Sequence, residues 1–369
     1  MHDCVVIGGG PAGGSAAYHL ARRGYDVVVL EKEHLPRAKP CRGCVSPRFT
    51  PWFDLDFTPV VTRHIHQVCL SWSLRDPLEV SLPQPLWMVL RPHFDQLLLE
   101  AAVARGATLH QGAEVTALLP VGQGWRITTS GQVFTARYLV LADGTLGRAS
   151  AMAGFTHRVH QVGAGLEAQV TLDVPPREIA YLDLGWVRNG LAWSFPRANG
   201  YSVGVSVVRQ TGRAELALQL RRFLRANGHI AKDCPVTAHP TFAWRERQAL
   251  HTPDLRALRV GDAAALFDPL AGAGIGHALF SGLEAAKAIH LSLSGQAQAI
   301  PAYSALINHG LGRHLLGSRL LADLVYYNPK FSLHLLSASP GLLQTLASFV
   351  TSDRGHLGPL RGLALRLIP

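Results

Sequence analysis

The spacing of apolar residues changes several times along the chain, and each change marks an element. Residues 3–7 (Asp-Cys-Val-Val-Ile) and 26–30 (Asp-Val-Val-Val-Leu) are short β-branched runs of strand character. The alanine-rich stretch 13–23 between them reads as a helix, so the chain opens on a βαβ unit. Phe94, Leu97, Leu98, Ala101 and Ala102 share one face of a helix over 94–105, with Gly106 as its stop. Short strands are expected at 114–119, 125–129 and 138–141, separated by glycine-containing turns. Residues 58–90, with Trp72, Pro83 and Trp87, and residues 160–245, with strand-like 192–195 and 201–208, suggest a second sheet. The helical period returns at 276–289, and 302–369 holds Leu-rich helical pieces broken by Pro329, Pro340 and Pro359.

Composition sharpens this picture. The 369 residues are 48% hydrophobic and 16% charged, which excludes a mostly disordered chain and supplies more than one core's worth of apolar side chains. A mean hydropathy of +0.14 is high for a freely soluble enzyme and points to something apolar bound or touched. Thirty-five basic against 25 acidic residues give +10, which suits phosphate-bearing ligands or anionic membranes, or reflects a basic proteome. No zinc-finger spacing, RNP-type aromatic motif or Lys/Arg-rich run supports nucleic acid as a partner. Residues 1–10 enter a strand without a cationic leader, so a cytoplasmic protein is expected. No run of about 18 apolar residues suggests a spanning helix, so any contact with the inner membrane surface would be peripheral. Cys4, Cys41, Cys44, Cys69 and Cys234 are an odd, sparse set that fits a reducing compartment.

The chemistry concentrates in a few segments. Gly8-Gly9-Gly10-Pro11-Ala12-Gly13 satisfies G-x-G-x-x-G between the first strand and its helix. Gly8 would make the tight turn, Gly10 would let backbone N–H groups approach a pyrophosphate, and Gly13 would let helix pack on strand. Glu31 ends the second strand, placed to accept from ribose hydroxyls and to disfavour a 2′-phosphate. Far downstream, Val260-Gly261-Asp262-Ala263-Ala264 leads to Phe267-Asp268-Pro269-Leu270-Ala271-Gly272-Ala273-Gly274-Ile275-Gly276; Asp262 alone could be a helix cap. Asp143-Gly144 alone is a turn signal, and Arg91 in Arg91-Pro92-His93-Phe94-Asp95 could be a bare helix-end arginine. Cys41-x-x-Cys44 lacks the second Cys/His pair that a zinc site needs, leaving a dithiol or an ordinary loop pair. His277 opens a helix as a packing residue or a proton donor.

Together these segments resemble the flavoprotein monooxygenase and geranylgeranyl reductase superfamily of FAD-dependent oxidoreductases, over roughly residues 1–300. The resemblance implies an α/β fold with a Rossmann-type FAD-binding lobe, a second mixed or antiparallel-sheet substrate lobe and a helical C-terminal cap. The FAD lobe would comprise 1–57, 91–155 and 246–300, the substrate lobe 58–90 and 156–245, and the cap 301–369. FAD would be held by Gly8, Gly10, Ala12, Gly13 and Glu31, by Arg91, by Val115 on an adenine-contacting strand, and by Asp262 at the ribityl chain with Gly274 and Ile275. Lys39-Pro40-Cys41-Arg42-Gly43-Cys44-Val45-Ser46 resembles the Lys-Pro-Cys-Gly-Gly loop of geranylgeranyl reductases, placing Cys41, Arg42 and Cys44 beside the flavin. Gly190-Leu191-Ala192-Trp193-Ser194-Phe195-Pro196 resembles their Tyr-x-Trp-x-Phe-Pro motif, with Trp193 and Phe195 as walls of a prenyl cavity. Arg42 in place of a glycine and Leu191 in place of the tyrosine are departures that bear on substrate.

The expected activity is saturation of isoprenoid C=C bonds of a prenyl-lipid substrate, with electrons from NAD(P)H or ferredoxin and Cys41 the first candidate for proton delivery. The rivals are an aromatic hydroxylase, which shares the FAD motifs, and a non-catalytic flavin- or lipid-binding protein. A halogenase is disfavoured because the sequence has no Trp-x-Trp-x-Ile-Pro. In the tail, Arg313, Arg319, Lys330, Arg354, Arg361 and Arg366 outnumber Asp323 and Asp353 among many leucines. That composition suits anionic lipid headgroups or a cover over the substrate cavity.

Overall fold

The structure, a computed structural model, describes residues 1–155, 161–172, 177–208, 213–228, 235–242, 244, 246–254, 256–339, 341–344 and 347. Cys234 and the tail residues 348–369, with Asp353, Arg354, Arg361 and Arg366, lie outside the described residues. Strand β1 (His2–Ile7), helix α1 (Pro11–Ala21) and strand β2 (Val27–Glu31) form the opening unit, with β1 and β2 parallel from Cys4↔Val27 to Ile7↔Leu30. All of β2 and all of α1 are buried, which explains why their sequences are apolar runs instead of alternating ones.

The first sheet continues from β2 to β6 (Thr108–Gln111) on one side. On the other side β1 pairs with β9 (Val133–Leu141), then β8 (Gly124–Thr129) and β7 (Val115–Val121), while β15 (Ala257–Arg259) also pairs with β9. The second sheet has the order β14 (Val236–Phe242), β10 (Gln161–Thr171), β13 (Gly200–Val207), β12 (Gly190–Arg197), β11 (Ile179–Asp183), β4 (Val61–Trp72), β5 (Arg75–Val89), β3 (Cys44–Val45). It is antiparallel except where β11 runs parallel to β4.

Within 160–245, the span expected to form a second sheet, one stretch is helical. Arg213–Ala226 forms α4, because Leu216, Leu220, Phe223 and Leu224 recur at helical spacing and bury against the second sheet. Strand β6 was not legible as a strand, since its four residues carry no alternation to read. The other helices are α2 (Arg91–Val103), the short α3 (Ala149–Met152), α5 (Ile275–Leu293), α6 (Ala299–Leu306), α7 (Gly312–Tyr327) and α8 (Pro329–Ala338). Helix α1 lies between α2 and α5. Gly282 admits the α5 contact, for a Cβ there would come 2.2 Å from Ala12 O. Ala322, Tyr326 and Leu333 of α7 and α8 join Ile65, Leu86, Met88, Trp193 and Phe195 of the second sheet in one apolar core.

Two histidines are buried in this framework as neutral rings. Burial, reinforced by Arg23, lowers His19 from 6.5 to about 3, and burial lowers His277 from 6.5 to about 4. A depressed folded value means that the unfolded chain takes up the proton first. Their contribution is therefore complete above pH 6.5 and declines as the pH falls toward 4. Each should cost about 2 kcal/mol by pH 5. The thermal midpoint should fall between pH 7 and pH 5, and His277→Asn should flatten that slope; a midpoint independent of pH over this interval contradicts the neutral assignment.

Candidate functional site

The turn after β1 is shaped by backbone approaches that exclude side chains. Gly8 has φ +102°, and a Cβ there would meet Ala142 O at 2.4 Å. A Cβ on Gly13 would lie 1.9 Å from Gly8 O. Gly10 differs: it precedes α1 in extended conformation, and a Cβ there would meet only Arg37 Nη2 at 3.7 Å and Arg91 Nη2 at 3.8 Å. The N-terminus of α1 thus opens toward two guanidinium groups, a setting for a diphosphate. Arg91 is fixed by a two-point bond to buried Asp95, with Nε to Oδ1 and Nη2 to Oδ2 both 2.8 Å. Arg37 bridges Glu31 at 3.2 Å and Asp95 at 3.3 Å.

Glu31 is more occupied than its sequence role implies. Its Oε2 accepts from Gly9 N at 2.8 Å and its Oε1 from Glu33 N at 3.0 Å, so it also orients the glycine turn. Each oxygen keeps lone-pair capacity for a hydroxyl. Ala113 N donates to Glu31 O at 2.9 Å, which brings Val115, at the start of β7, near the end of β2.

The second glycine-rich segment meets the first directly. After β15, Gly261 turns with φ +55°, and a Cβ on it would lie 2.8 Å from the Ala12 Cβ. Asp262 follows in the turn Gly261–Ala264, and the position of a Gly274 Cβ is 3.5 Å from Asp262 Oδ1. Gly274 precedes buried Ile275, the first residue of α5, with no side chain capping that helix. Lys39, whose pKa burial lowers, has Asp262 as its strongest opposing charge, and its Nζ lies 3.6 Å from where a Gly144 Cβ would be. Asp143 caps α3 through Ala149 N at 2.8 Å. Its Oδ1 is buried without a hydrogen-bond partner among the described residues, and burial raises its pKa.

The Cys41 loop is tethered by residues from the second sheet. Cys41 N donates to Glu167 Oε2 at 2.8 Å, and Arg197 Nη2 donates to Cys41 O at 2.8 Å. Arg197 also pairs with Glu167 at 2.7 Å, and Ser202 Oγ donates to Glu167 at 2.8 Å. Trp193 Nε1 in turn donates to Ser202 Oγ at 3.1 Å. Cys41 and Cys44 are free thiols; burial, with Cys41 adding to it, pushes Cys44 up to about 12, which leaves it a poor nucleophile.

Trp193 does not stand as an open wall. It is fully buried, and the Arg42 guanidinium lies 4.3 Å over its ring while Arg42 Nη1 donates to Ala271 O at 3.1 Å. Gly272 must be glycine there, having φ +64° and no room for a Cβ beside Arg42. Phe195 packs in the same apolar core. The loop 268–274 is also gripped by the cap: Asp268 accepts from Leu270 N, Ala271 N and Ser318 Oγ, His314 Nε2 lies 3.6 Å away, and Tyr326 OH donates to Leu270 O at 2.7 Å. Burial alone would raise the Asp268 carboxyl, but His314, His277, Ser318 and the backbone donors hold it at about 2. His277 is a packing residue with Nδ1 3.1 Å from Leu266 O. Sequence reading gave no role to Arg37, Glu167, Arg197, Asp268 or His314; a cation after the second strand and an acid in the second glycine-rich segment were the only signals available.

The comparisons with known proteins decide the class of site. A family model described as FAD binding domain matches residues 73–304, and one described as FAD dependent oxidoreductase matches residues 3–39. The chain belongs to the FAD binding domain family. A menaquinone reductase of Mycobacterium tuberculosis is 28% identical over 77% of this chain and 76% of its own. A geranylgeranyl diphosphate reductase of Rhodobacter capsulatus is 26% identical over 78% and 74%. A flavin-dependent halogenase of Aspergillus carbonarius is 27% identical over 79% and 68%. A geranylgeranyl bacteriochlorophyll reductase-like protein of Thermoplasma acidophilum has the same fold, with TM-score 0.77 at 21% identity over 98% of this chain and 95% of its own.

The two glycines that flank the α1 N-terminus should respond differently. Gly10→Val should keep the fold but fill the space before Arg37 and Arg91, so the purified variant should lose most of its FAD absorbance. Gly13→Ala should lower the thermal midpoint instead, because its Cβ has nowhere to go. Full flavin occupancy in Gly10→Val contradicts this assignment.

Proposed function

We propose that this protein is an FAD-dependent reductase that saturates isoprenoid double bonds of a geranylgeranyl-type prenyl-lipid substrate. The observation that carries the reading is the joining of its two reductase-like segments. The Cys41 loop is tied through Glu167, Ser202 and Arg197 to the strand of Trp193 and Phe195, and Arg42 ties both to the loop before Gly274. The names of two relatives, reductases of menaquinone and of geranylgeranyl diphosphate, support it.

In this reading the α1 N-terminus with Arg37 and Arg91 would hold the diphosphate of FAD. Glu31 would receive the ribose and Val115 would border the adenine. Asp262 would receive the ribityl chain, with Gly274 and Ile275 at the start of α5 beside it. When bound, FAD supplies the two-electron hydride chemistry. The chain's own residues hold the alkene in a dry, apolar setting and deliver a proton. Trp193 and Phe195 offer the apolar surface, which the substrate reaches when the Arg42 guanidinium shifts off the indole. Cys41 Sγ, which accepts from Gly43 N at 3.4 Å, is the proposed proton source.

Asp262→Ala should weaken FAD binding about ten- to a hundredfold, the effect of losing a charge-assisted hydrogen bond, as read by flavin titration. An unchanged dissociation constant would return Asp262 to a capping role. Chemically reduced holoenzyme, incubated anaerobically with geranylgeranyl diphosphate or menaquinone, should yield products about 2 mass units heavier per bond reduced. Product that forms only in air, with a gain of about 16, would mean a hydroxylase; product that requires a halide and air would mean a halogenase. Substrate returned unchanged under all three conditions sinks the reductase reading.

A further inference from the structure

Helices α7 and α8 are apolar on two faces. Inward, Leu315, Ala322 and Tyr326 of α7 and Leu333 of α8 are buried, three of them in the core shared with the second sheet. That inner face is what a cap helix needs. The outer face is different. On α7, Leu320 is 66% exposed, Leu324 62% and Tyr327 76%, and at about 100° per residue these three fall within one narrow stripe, with Leu321 at its edge. On α8, Phe331 is 58% exposed and Leu335, one turn on, is 46% exposed; Leu342 extends the series. None of these side chains joins an apolar core among the described residues. A helix of a monomeric domain normally turns polar residues to water here, so the face is built to meet something apolar.

The charges around the stripe identify the occupant. Between residues 312 and 338 there are three permanent cations, Arg313, Arg319 and Lys330, against one acid, Asp323. Arg313 and Lys330 are exposed, and Lys330 extends its ammonium over the Trp72 ring at 5.0 Å. A two-fold dimer through this face would set these cations against their own copies, with too few carboxylates to match them. A bilayer rich in anionic headgroups offers an apolar interior to the leucines and negative charge to the flanking cations. Among the described residues no helix is long and apolar enough to cross a membrane, so contact through this face lies along the surface.

We infer that the outer face of α7 and α8 is a docking surface for an anionic lipid bilayer, seated through Leu320, Leu324, Tyr327, Phe331 and Leu335. The geometry has a consequence for the site. Ser318 and Tyr326 of α7 hold Asp268 and Leu270 of the loop before Gly274, so the docking helix and the loop of the candidate site are in direct contact. A prenyl chain would therefore leave the lipid next to the core that contains Trp193 and Phe195. This consequence rests on the prenyl-lipid reading above; the docking surface itself rests on the helices alone.

The test is cosedimentation of the full-length, flavin-loaded protein with vesicles of phosphatidylcholine, with and without phosphatidylglycerol. Binding should be substantial on the anionic vesicles, weaker on the neutral ones, and reduced by added salt. Leu324→Asp and Phe331→Asp, both at exposed positions, should each weaken binding at least about tenfold while flavin content and thermal midpoint stay unchanged. Lys330→Glu should weaken binding to the anionic vesicles only. Variants that bind as tightly as the parent overturn the proposal, as does a parent that binds neither vesicle. A parent that is dimeric by light scattering, with Leu324→Asp making it monomeric, assigns the face to a second copy and also overturns it. Reduction of detergent-dispersed substrate is measured separately: its absence together with intact vesicle binding refutes the reductase reading and leaves the docking surface standing.

Discussion

Helix α1 must approach three neighbours with no side chain in the way, and the remainder of the site depends on that. Gly13 lies against Gly8 O, Gly261 against Ala12, and Gly282 against Ala12 O, and a Cβ at any of the three would fall closer than 3 Å to its neighbour. These contacts join the first turn to segments about 250 residues downstream. They set α1 directly against the Asp262 turn and α5. Small residues give up their own apolar burial to do this. The loss is offset by the close packing that complete burial of α1 provides.

Buried carboxylates then fix the loops that this packing brings together. Glu31 holds the glycine turn, Asp95 holds Arg91 and Arg37, Glu167 holds the Cys41 loop, and Asp268 holds the loop before Gly274. Each reaches a different part of the chain, and each is satisfied by several donors. A buried ion pair is a weak source of net stability, because desolvation consumes most of the attraction. Its effect here is positional: removing one partner would strand a charge, so the loops are confined to the arrangement in which all are paired.

The same frame serves relatives named as reductases and as halogenases, so the sheets and glycine turns cannot distinguish between reactions. Arg42, standing where the reductase loop that this segment resembles has a glycine, covers Trp193 and donates to Ala271 O. A guanidinium with an indole beneath it and a backbone carbonyl beside it is bulkier and more polar than the glycine it replaces.

The sequence by itself determined whatever is encoded over short spans. The β-branched runs around Gly8–Gly13, the acid at Glu31 and the Gly-Asp pair at 261–262 were legible because backbone conformation and strand propensity are local. The FAD-binding class followed from them, and the family match agrees. The helical character of 213–226 was missed for a different reason: its apolar residues sit at helical spacing among arginines, in a region otherwise dominated by strands. The tertiary structure alone decided which charges meet. Glu167 finds Cys41 across 126 residues, Arg197 finds the same residue across 156, and Ser318 finds Asp268 across 50. No periodicity marks such partners, because a buried charge is placed by the folding of separate segments around it, and its cost is met only once they have closed.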